Sequence, residues 1–387
     1  MKVIEVNNKK LEKEFINVAL YIYKDDKYWV RPLDIDIQNV FDKKKNKTFR
    51  HGNLKRWILI NENKYIGRIA AFYNEKTKKL DGNLSIGGCG FFECINNQKA
   101  ANLLFETSQK WLKSNNIEGM DGPINFGERD KWWGCLVEGF NINPNYQQNF
   151  GKKYYRELFE SYGFKILFKQ FTFTRKITSP ISERLYYKTK VAMQNPNYNF
   201  KHLKLNKLEK YTDDFRKVYN EAWAKYPGVS KMSSLQAKSI MNQLKPIIDE
   251  KIAWFAYDKN EPVGFFLCIP EMNQIFKHVN GKLNLIGKIK TFYHLKILKS
   301  CKKMVGLVFG IVPAHQGRGL DGALITATRE TIQEKLSYNT LELNWIPDFN
   351  TNMIKVAEQV GVKIAKTHHT YRYHFDKSIP IKRVKIK

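Results

Sequence analysis

Gly306 to Ile325 reads GLVFGIVPAHQGRGLDGALI, an apolar run closed by Pro313, then a basic glycine-bearing loop, then the opening of a helix. Val305 to Val312 is short, continuously apolar and ended by a breaker, the pattern of a buried strand. Leu320, Leu324, Ile332 and Leu336, with Ala323 and Ala327, then recur at helical spacing. Between them, Gln316-Gly317-Arg318-Gly319 lets unhindered backbone N–H groups converge on a helix N-terminus, where the dipole favours an anion and Arg318 adds charge. Strand, loop and helix together predict a cradle for an anion such as a pyrophosphate. The alternative is an ordinary strand-to-helix turn whose glycines only permit tight geometry, because short glycine motifs often recur without function.

Thr340 to Ile346, TLELNWI, alternates as a strand, with Glu342 and Asn344 on one face and Leu341, Leu343 and Trp345 on the other. A helix follows from Asn350 through Met353, Val356 and Glu358 to a glycine stop at Gly361. The loop resembles the coenzyme A pyrophosphate motif of the GNAT acyltransferases, Gln/Arg-x-x-Gly-x-Gly/Ala, and the second helix resembles the family's next motif. The resemblance implies that Gln316, Gly317, Arg318, Gly319, Leu320 and Gly322 hold the pyrophosphate of acyl-CoA. It also implies that the backbone at Ile311 and Val312 meets the thioester and that Asn350 contacts the coenzyme arm. Two positions depart from the family: Asp321 stands where Gly or Ala is usual, and Ala357 where many members carry a tyrosine general acid. Proton donation then falls to Tyr371, Tyr373 or water.

A chain of 387 residues, 43% apolar and 14% aromatic, is long for one compact domain and can bury two cores. No run approaches the roughly 18 apolar residues of a membrane span. Met1 to Lys10, MKVIEVNNKK, lacks the apolar core of a signal peptide, so a cytoplasmic protein is expected. Cys89, Cys94, Cys135, Cys268 and Cys301 are scattered with no CxxC pair, which argues for buried thiols over a disulfide framework or a zinc site, and no metal is expected.

The net charge of +29 is mostly lysine spread along the chain, so it does not by itself mark a nucleic-acid-binding face. One concentration is local: Lys277 to Lys303 holds eight lysines and no Asp or Glu. Interleaved with Leu283, Leu285, Ile286, Phe292, Tyr293, Leu295 and Ile297, it predicts either an amphipathic segment on an anionic membrane or a solvated lysine face over a core stripe. The tail Ile379 to Lys387, IPIKRVKIK, admits the same two readings.

The chain also repeats itself faintly. Tyr155-x-x-Leu158-x-Glu160-x-x-Gly163 has the spacing of Met353-x-x-Val356-x-Glu358-x-x-Gly361, and Arg56 to Phe72 parallels Ile252 to Leu267 as an apolar hairpin. The expected fold is α/β, two tandem GNAT-like units, each a mixed central sheet flanked by helices. A degenerate N-terminal unit would span 1–178, a polar crossover 179–201, and a C-terminal unit with the coenzyme motif 202–387. The N-terminal counterpart of the loop, Gly87 to Asn96, has no basic residue and is read with Glu93 at its entry, which suits a pyrophosphate poorly. The N-terminal half instead offers Gly122 to Phe140, GPINFGERDKWWGCLVEGF. There Phe126, Trp132, Trp133 and Phe140 are expected either to line an apolar acceptor cleft or to pack between the units.

That motif, with Leu20 to Leu33 (LYIYKDDKYWVRPL) and Pro270 to Gln274, resembles a branch of long double-domain GNAT proteins, the YghO-like group that includes bacterial ceramide synthases. The resemblance implies transfer of a fatty acyl group from acyl-CoA to the primary amine of a sphingoid base, delivered from the inner membrane to a protein working peripherally there. Such a reaction needs a group to take the ammonium proton. Glu342 is the first candidate and Glu271 the second, an exposed surface carboxylate being the alternative for each. N-acetylation of a small amine and a catalytically silent interaction protein on the same scaffold stand as alternatives, and nucleic-acid binding is a third class. The sequence carries no P-loop, no GxSxG elbow, no His-x-x-x-Asp or His-x-x-x-x-Asp signature and no metal-ligand cluster.

Overall fold

The computed structural model describes residues 1–79, 82, 84–180, 182–223, 231–333 and 338–383, so Leu336 and residues 384–387 of the basic tail lie outside the described residues. The N-terminal half contributes β1 (Lys2–Glu5), α1 (Lys9–Ile22), α2 (Asp34–Phe41), β2 (Gly52–Asn61), β3 (Lys64–Asn74), β4 (Ile86–Cys94), α3 (Gln98–Lys113), β5 (Gly119–Gly122), β6 (Cys135–Glu138), α4 (Tyr155–Tyr162) and β7 (Lys165–Lys176). The C-terminal half contributes α5 (Glu183–Gln194), β8 (Tyr198–His202), α6 (Leu208–Trp223), α7 (Ser234–Leu244), β9 (Ala253–Asp258), β10 (Glu261–Pro270), α8 (Asn273–Phe276), α9 (Leu285–Phe292), β11 (Lys303–Ile311), α10 (Leu320–Gln333), β12 (Thr340–Pro347), α11 (Thr351–Gln359) and β13 (Lys363–His374).

The local expectations rest on local chemistry, and they hold. β2 and β3 turn on Glu62-Asn63, at φ 47 and 63, and β9 and β10 turn on Lys259, at φ 53. The helices α4 and α11 each stop at a left-handed glycine, Gly163 at φ 115 and Gly361 at φ 72. Each half has its own core, one around Phe105, Phe159 and Phe164, the other around Phe255, Phe265 and Leu324.

Among the described residues the strands join into one thirteen-stranded sheet in the order β1-β2-β3-β4-β5-β13-β7-β12-β11-β10-β9-β8, with β6 pairing β13 off this path. The order contains an exchange. The C-terminal half's last strand, β13, lies between β5 and β7, and the N-terminal half's last strand, β7, lies between β13 and β12. Each half's sheet is thus completed by the other's final strand.

Two expectations are corrected. Residues 179–201 are not a bare crossover: Ser182 caps α5 by accepting the Leu185 N–H, and Leu185 and Ala192 enter the C-terminal core, on a stripe with Thr189 that the polar composition hid. Gly87 to Asn96 is mostly strand. A β-carbon on Gly90 would lie 1.8 Å from the Ile124 carbonyl oxygen, so this glycine serves close backbone packing. Glu93 sits inside, 3.4 Å from the Arg68 guanidinium and accepting a 2.7 Å hydrogen bond from the Tyr155 hydroxyl.

Candidate functional site

The sheet opens at one seam. β11 pairs with β12 in parallel only from Lys303↔Thr340 to Gly306↔Leu343, whereas its other edge follows β10 as far as Ile311↔Gly264. Two irregularities mark the parting. Leu307 is an extra residue on β11, bulged between Gly306 and Val308, and β12 breaks register with β7 between Leu343 and Ile346, where Trp345 holds φ 62. Bulges bend a strand and re-aim its groups. The Val312 N–H donates to the Val263 carbonyl at 3.0 Å, so by antiparallel alternation the N–H groups of Ile311 and Phe309 turn away from β10, into the gap. Of the two amides expected at the thioester, Val312's is therefore already engaged and Ile311's faces the opening.

The loop follows at the open end of β11. Gln316 Nε2 donates to the Ile311 carbonyl at 3.0 Å, and Gly317 and Gly319 take φ 73 and 84. A β-carbon on Gly317 would meet nothing within 4 Å, and Gln316 and Arg318 are exposed beside it. Gly319 and Gly322 do other work. Their β-carbons would lie 2.3 Å from the Lys188 carbonyl oxygen and 1.9 Å from Thr189 Oγ1, so both let α5 press against the start of α10. The same contact brings Lys188 to the loop, its Nζ 3.4 Å from the Gly317 carbonyl oxygen, a second cation that the motif did not disclose. Asp321 sits in the first turn of α10, where a carboxylate suits the helix dipole. Asn350 caps α11, its Oδ1 accepting the Met353 N–H at 3.2 Å. In the N-terminal half the corresponding helix start is capped by Asn97, and its loop carries no glycine.

Beside the paired stretch of β11 and β12 lies a buried polar knot. Glu342, 2% exposed, accepts from Lys303 Nζ at 2.6 Å, Lys366 Nζ at 3.2 Å and Asn145 Nδ2 at 2.6 Å. Asn145 also reaches Asn344 Oδ1 at 2.7 Å, and Lys366 donates to the Asn143 carbonyl at 3.0 Å. Glu271, also 2% exposed, accepts the N–H groups of Tyr146 (2.8 Å), Asn273 (3.0 Å) and Gln274 (3.2 Å). The two carboxylates named from the sequence therefore share one knot, tied by the N-terminal half's residues 143–146. Asn145, Lys303 and Lys366 carried no motif and were missed, since they reach Glu342 from a loop, the neighbouring strand β11 and the exchanged strand β13, all distant in the chain.

Their electrostatics differ. Burial alone would raise the Glu342 carboxyl, but the Lys366 and Lys303 ammonium groups outweigh it and hold the acid below its usual range. Held down by two ammonium groups, Glu342 is the weaker proton acceptor of the two carboxylates. Burial pushes the Glu271 carboxyl up, against the pull of the Asn273 N–H and of Lys303. Burial lowers the Lys366 ammonium, opposed by Glu342.

Other expected residues lie elsewhere. Tyr371 is fully buried in the N-terminal core, stacked on Phe159 and bonded to Glu160 Oε1 at 3.0 Å, and burial drives its phenol far up, so it is a core residue and not a proton donor at the loop. Tyr373 packs in that same core. Phe126 is buried between Phe49 and Phe72, and Trp132 contacts Phe91. Trp133, of the expected cleft residues, reaches the C-terminal half, meeting Trp345 edge to face with centroids 6.2 Å apart. Neither indole N–H finds an acceptor among the described residues. All five cysteines are buried and free.

A sheet that parts beside a glycine loop and a helix start, in a chain of two similarly built halves, is the geometry of a tandem GNAT fold. The chain spans a tandem GNAT protein from the clavulanic acid biosynthesis pathway at TM-score 0.54 and 7% identity, covering 96% of this chain and 98% of that one. It spans a GCN5-related N-acetyltransferase from Sphaerobacter thermophilus at TM-score 0.51 and 8% identity, covering 99% and 98%. Its sequence is 24% identical over 375 residues to a bacterial ceramide synthase of Caulobacter vibrioides, covering 96% of this chain and 97% of that relative. It is 24% identical over 374 residues to Protein YghO of Escherichia coli, covering 94% and 93%. The chain thus has the tandem GNAT fold and is similar to these two relatives over nearly its whole length. No protein-family model matches it.

Proposed function

We propose that the protein transfers a fatty acyl group from acyl-CoA to the primary amine of a long-chain base, in the manner the name of its Caulobacter relative describes. The observation that carries this is the opening between β11 and β12 with Gly317, Arg318 and Lys188 at its mouth. The open space at Gly317 and two cations at a helix start suit a pyrophosphate. The 1–178 and 202–387 units would then divide the work, the second binding acyl-CoA and the first shaping the acceptor side through residues 143–146 and Trp133.

Chemistry follows from these parts. The thioester carbonyl lies in the opening, polarised by the Ile311 N–H. The amine attacks the carbonyl carbon, the C–S bond breaks, and the amide and the coenzyme thiol leave. The ammonium must first shed a proton, and Glu271, with its raised carboxyl, is better tuned to accept it than Glu342. A lipid acceptor places the protein peripherally at the cytoplasmic membrane face.

Thiol release is the test. Palmitoyl-CoA with a sphingoid base should yield thiol and amide, acetyl-CoA with the same base far less, and Arg318→Glu should lower both at limiting acyl-CoA. Equal or greater turnover of acetyl-CoA with small amines would refute lipid acylation, and no thiol release from any pair would refute the enzyme.

A further inference from the structure

Leu285–Phe292 forms α9, and the chain runs on as a π-helical turn over Tyr293–Ile297. At about 100° per residue, Leu285, Ile286, Ile289, Phe292 and Tyr293 fall on one stripe. The stripe faces outward: Leu285 is 75% exposed, Ile286 63%, Ile289 60% and Phe292 60%, with Ile297 at 61% beyond. The side turned to the protein is small. Gly287 is the buried residue of α9, and a β-carbon there would lie 2.1 Å from the Lys282 carbonyl oxygen. A surface helix of a globular protein ordinarily points its apolar stripe at the core, so this one is inverted. Lys288 and Lys290 are exposed on opposite flanks of the stripe, Lys282, Lys296 and Lys299 are exposed around it, and no acid occurs from Lys277 to Lys303.

We propose that α9 and the turn after it dock on an anionic lipid bilayer. The apolar stripe enters the acyl boundary while the flanking lysines extend to anionic headgroups. Charge decides the occupant. A second copy of the chain would bring one lysine-rimmed stripe against another and repel it, whereas an anionic surface complements the rim. The docking helix belongs to the same insertion, between β10 and β11, whose first residue is Glu271 and whose end leads into Lys303. The inference rests on the proposed function only in giving the docked protein a lipid acceptor to take up.

Co-sedimentation of the full chain with vesicles tests it. The protein should pellet with phosphatidylcholine vesicles containing phosphatidylglycerol, stay in solution with phosphatidylcholine alone, and be released as salt rises. Ile289→Asp/Phe292→Asp should lose the pelleting. Lys288→Glu/Lys290→Glu should weaken it by at least about tenfold. Both variants change only exposed side chains, so their Tm should match the wild type. A wild-type chain that ignores both vesicles, or variants that pellet as well as it does, would overturn the proposal. So would light scattering that finds a dimer dispersed by Ile289→Asp/Phe292→Asp, because the stripe would then serve self-association. Thiol release with a detergent-dispersed acceptor, measured on the same variants, reports acyl transfer separately, so docking and catalysis fail independently.

Discussion

The carbonyl oxygen of Lys188 stands 2.3 Å from where a β-carbon on Gly319 would lie, which makes that glycine a packing residue of the α5–α10 contact. A substitution there reports on folding before it reports on coenzyme. Gly319→Ala, strained at φ 84 and overpacked, should cost about 1–3 kcal/mol and lower Tm. Arg318→Glu, at an exposed position, should leave Tm unchanged and raise the acyl-CoA Kd by about tenfold or more, as loss of a charge-assisted contact does. Differential scanning fluorimetry with and without acyl-CoA separates the two. An Arg318→Glu protein that binds acyl-CoA normally would remove the loop from the site.

Glu342 is held by two ammonium groups, so neutralising it leaves cations buried without a counter-charge. Glu342→Gln should destabilise the protein by about 3–5 kcal/mol, and Glu342→Gln/Lys366→Met should recover part of the loss. Chemical denaturation of the three proteins checks this. Glu271→Gln should instead lower kcat and remove the acidic limb of the pH–rate profile. A Glu271→Gln enzyme with an unchanged profile would discard that residue as the proton acceptor.

Asn350 supplies a cap through Oδ1 and keeps an amide nitrogen to offer a ligand. Asn350→Ala should cost about 1 kcal/mol, whereas Asn350→Asp keeps the cap at little cost. If the amide touches the coenzyme arm, both variants should weaken acyl-CoA binding in a titration. A normal Kd for Asn350→Asp would leave the residue as a cap only.

Acid should unfold the protein from an unusual starting point. Burial lowers His368 and His369 from an ordinary value of 6.5 to about 4 in the folded chain. Groups depressed in this way lend stability that is complete above 6.5 and lost as pH falls towards 4. The depressed Glu342 carboxyl acts in the same direction at lower pH, below its ordinary 4.5. Tm should therefore decline on acidifying from pH 6.5. His368→Asn should flatten that decline, and an equally steep curve would assign it to other groups.

Much of the architecture could be read from short-range signals. The hairpins, the glycine helix stops at Gly163 and Gly361 and the strand-loop-helix unit around Gly317 follow from neighbouring residues, and they stand where the spacing put them. The knot did not show, because Asn145, Lys303, Glu342 and Lys366 are far apart in the chain: Lys303 and Glu342 meet across β11 and β12, Lys366 arrives on the exchanged strand β13 and Asn145 on a loop. Lys188 escaped notice for a similar reason, sitting on a helix whose polar composition concealed its one apolar stripe. The segment from Lys277 to Lys303 was recognisably amphipathic, but periodicity cannot say which side of a helix faces the protein. That depended on Gly287 packing against the Lys282 carbonyl.

Strand exchange also fixes a timetable. As the chain leaves the ribosome, β5 and β7 are made early, yet the strand that belongs between them, β13, is made only after every other strand of the sheet. Until then the nascent N-terminal half exposes two unsatisfied strand edges, the kind of surface that recruits wrong partners. A ribosome stalled just beyond residue 178 would therefore hold an aggregation-prone intermediate and not a finished first domain, and the arrival of β13 is the event that closes the N-terminal sheet.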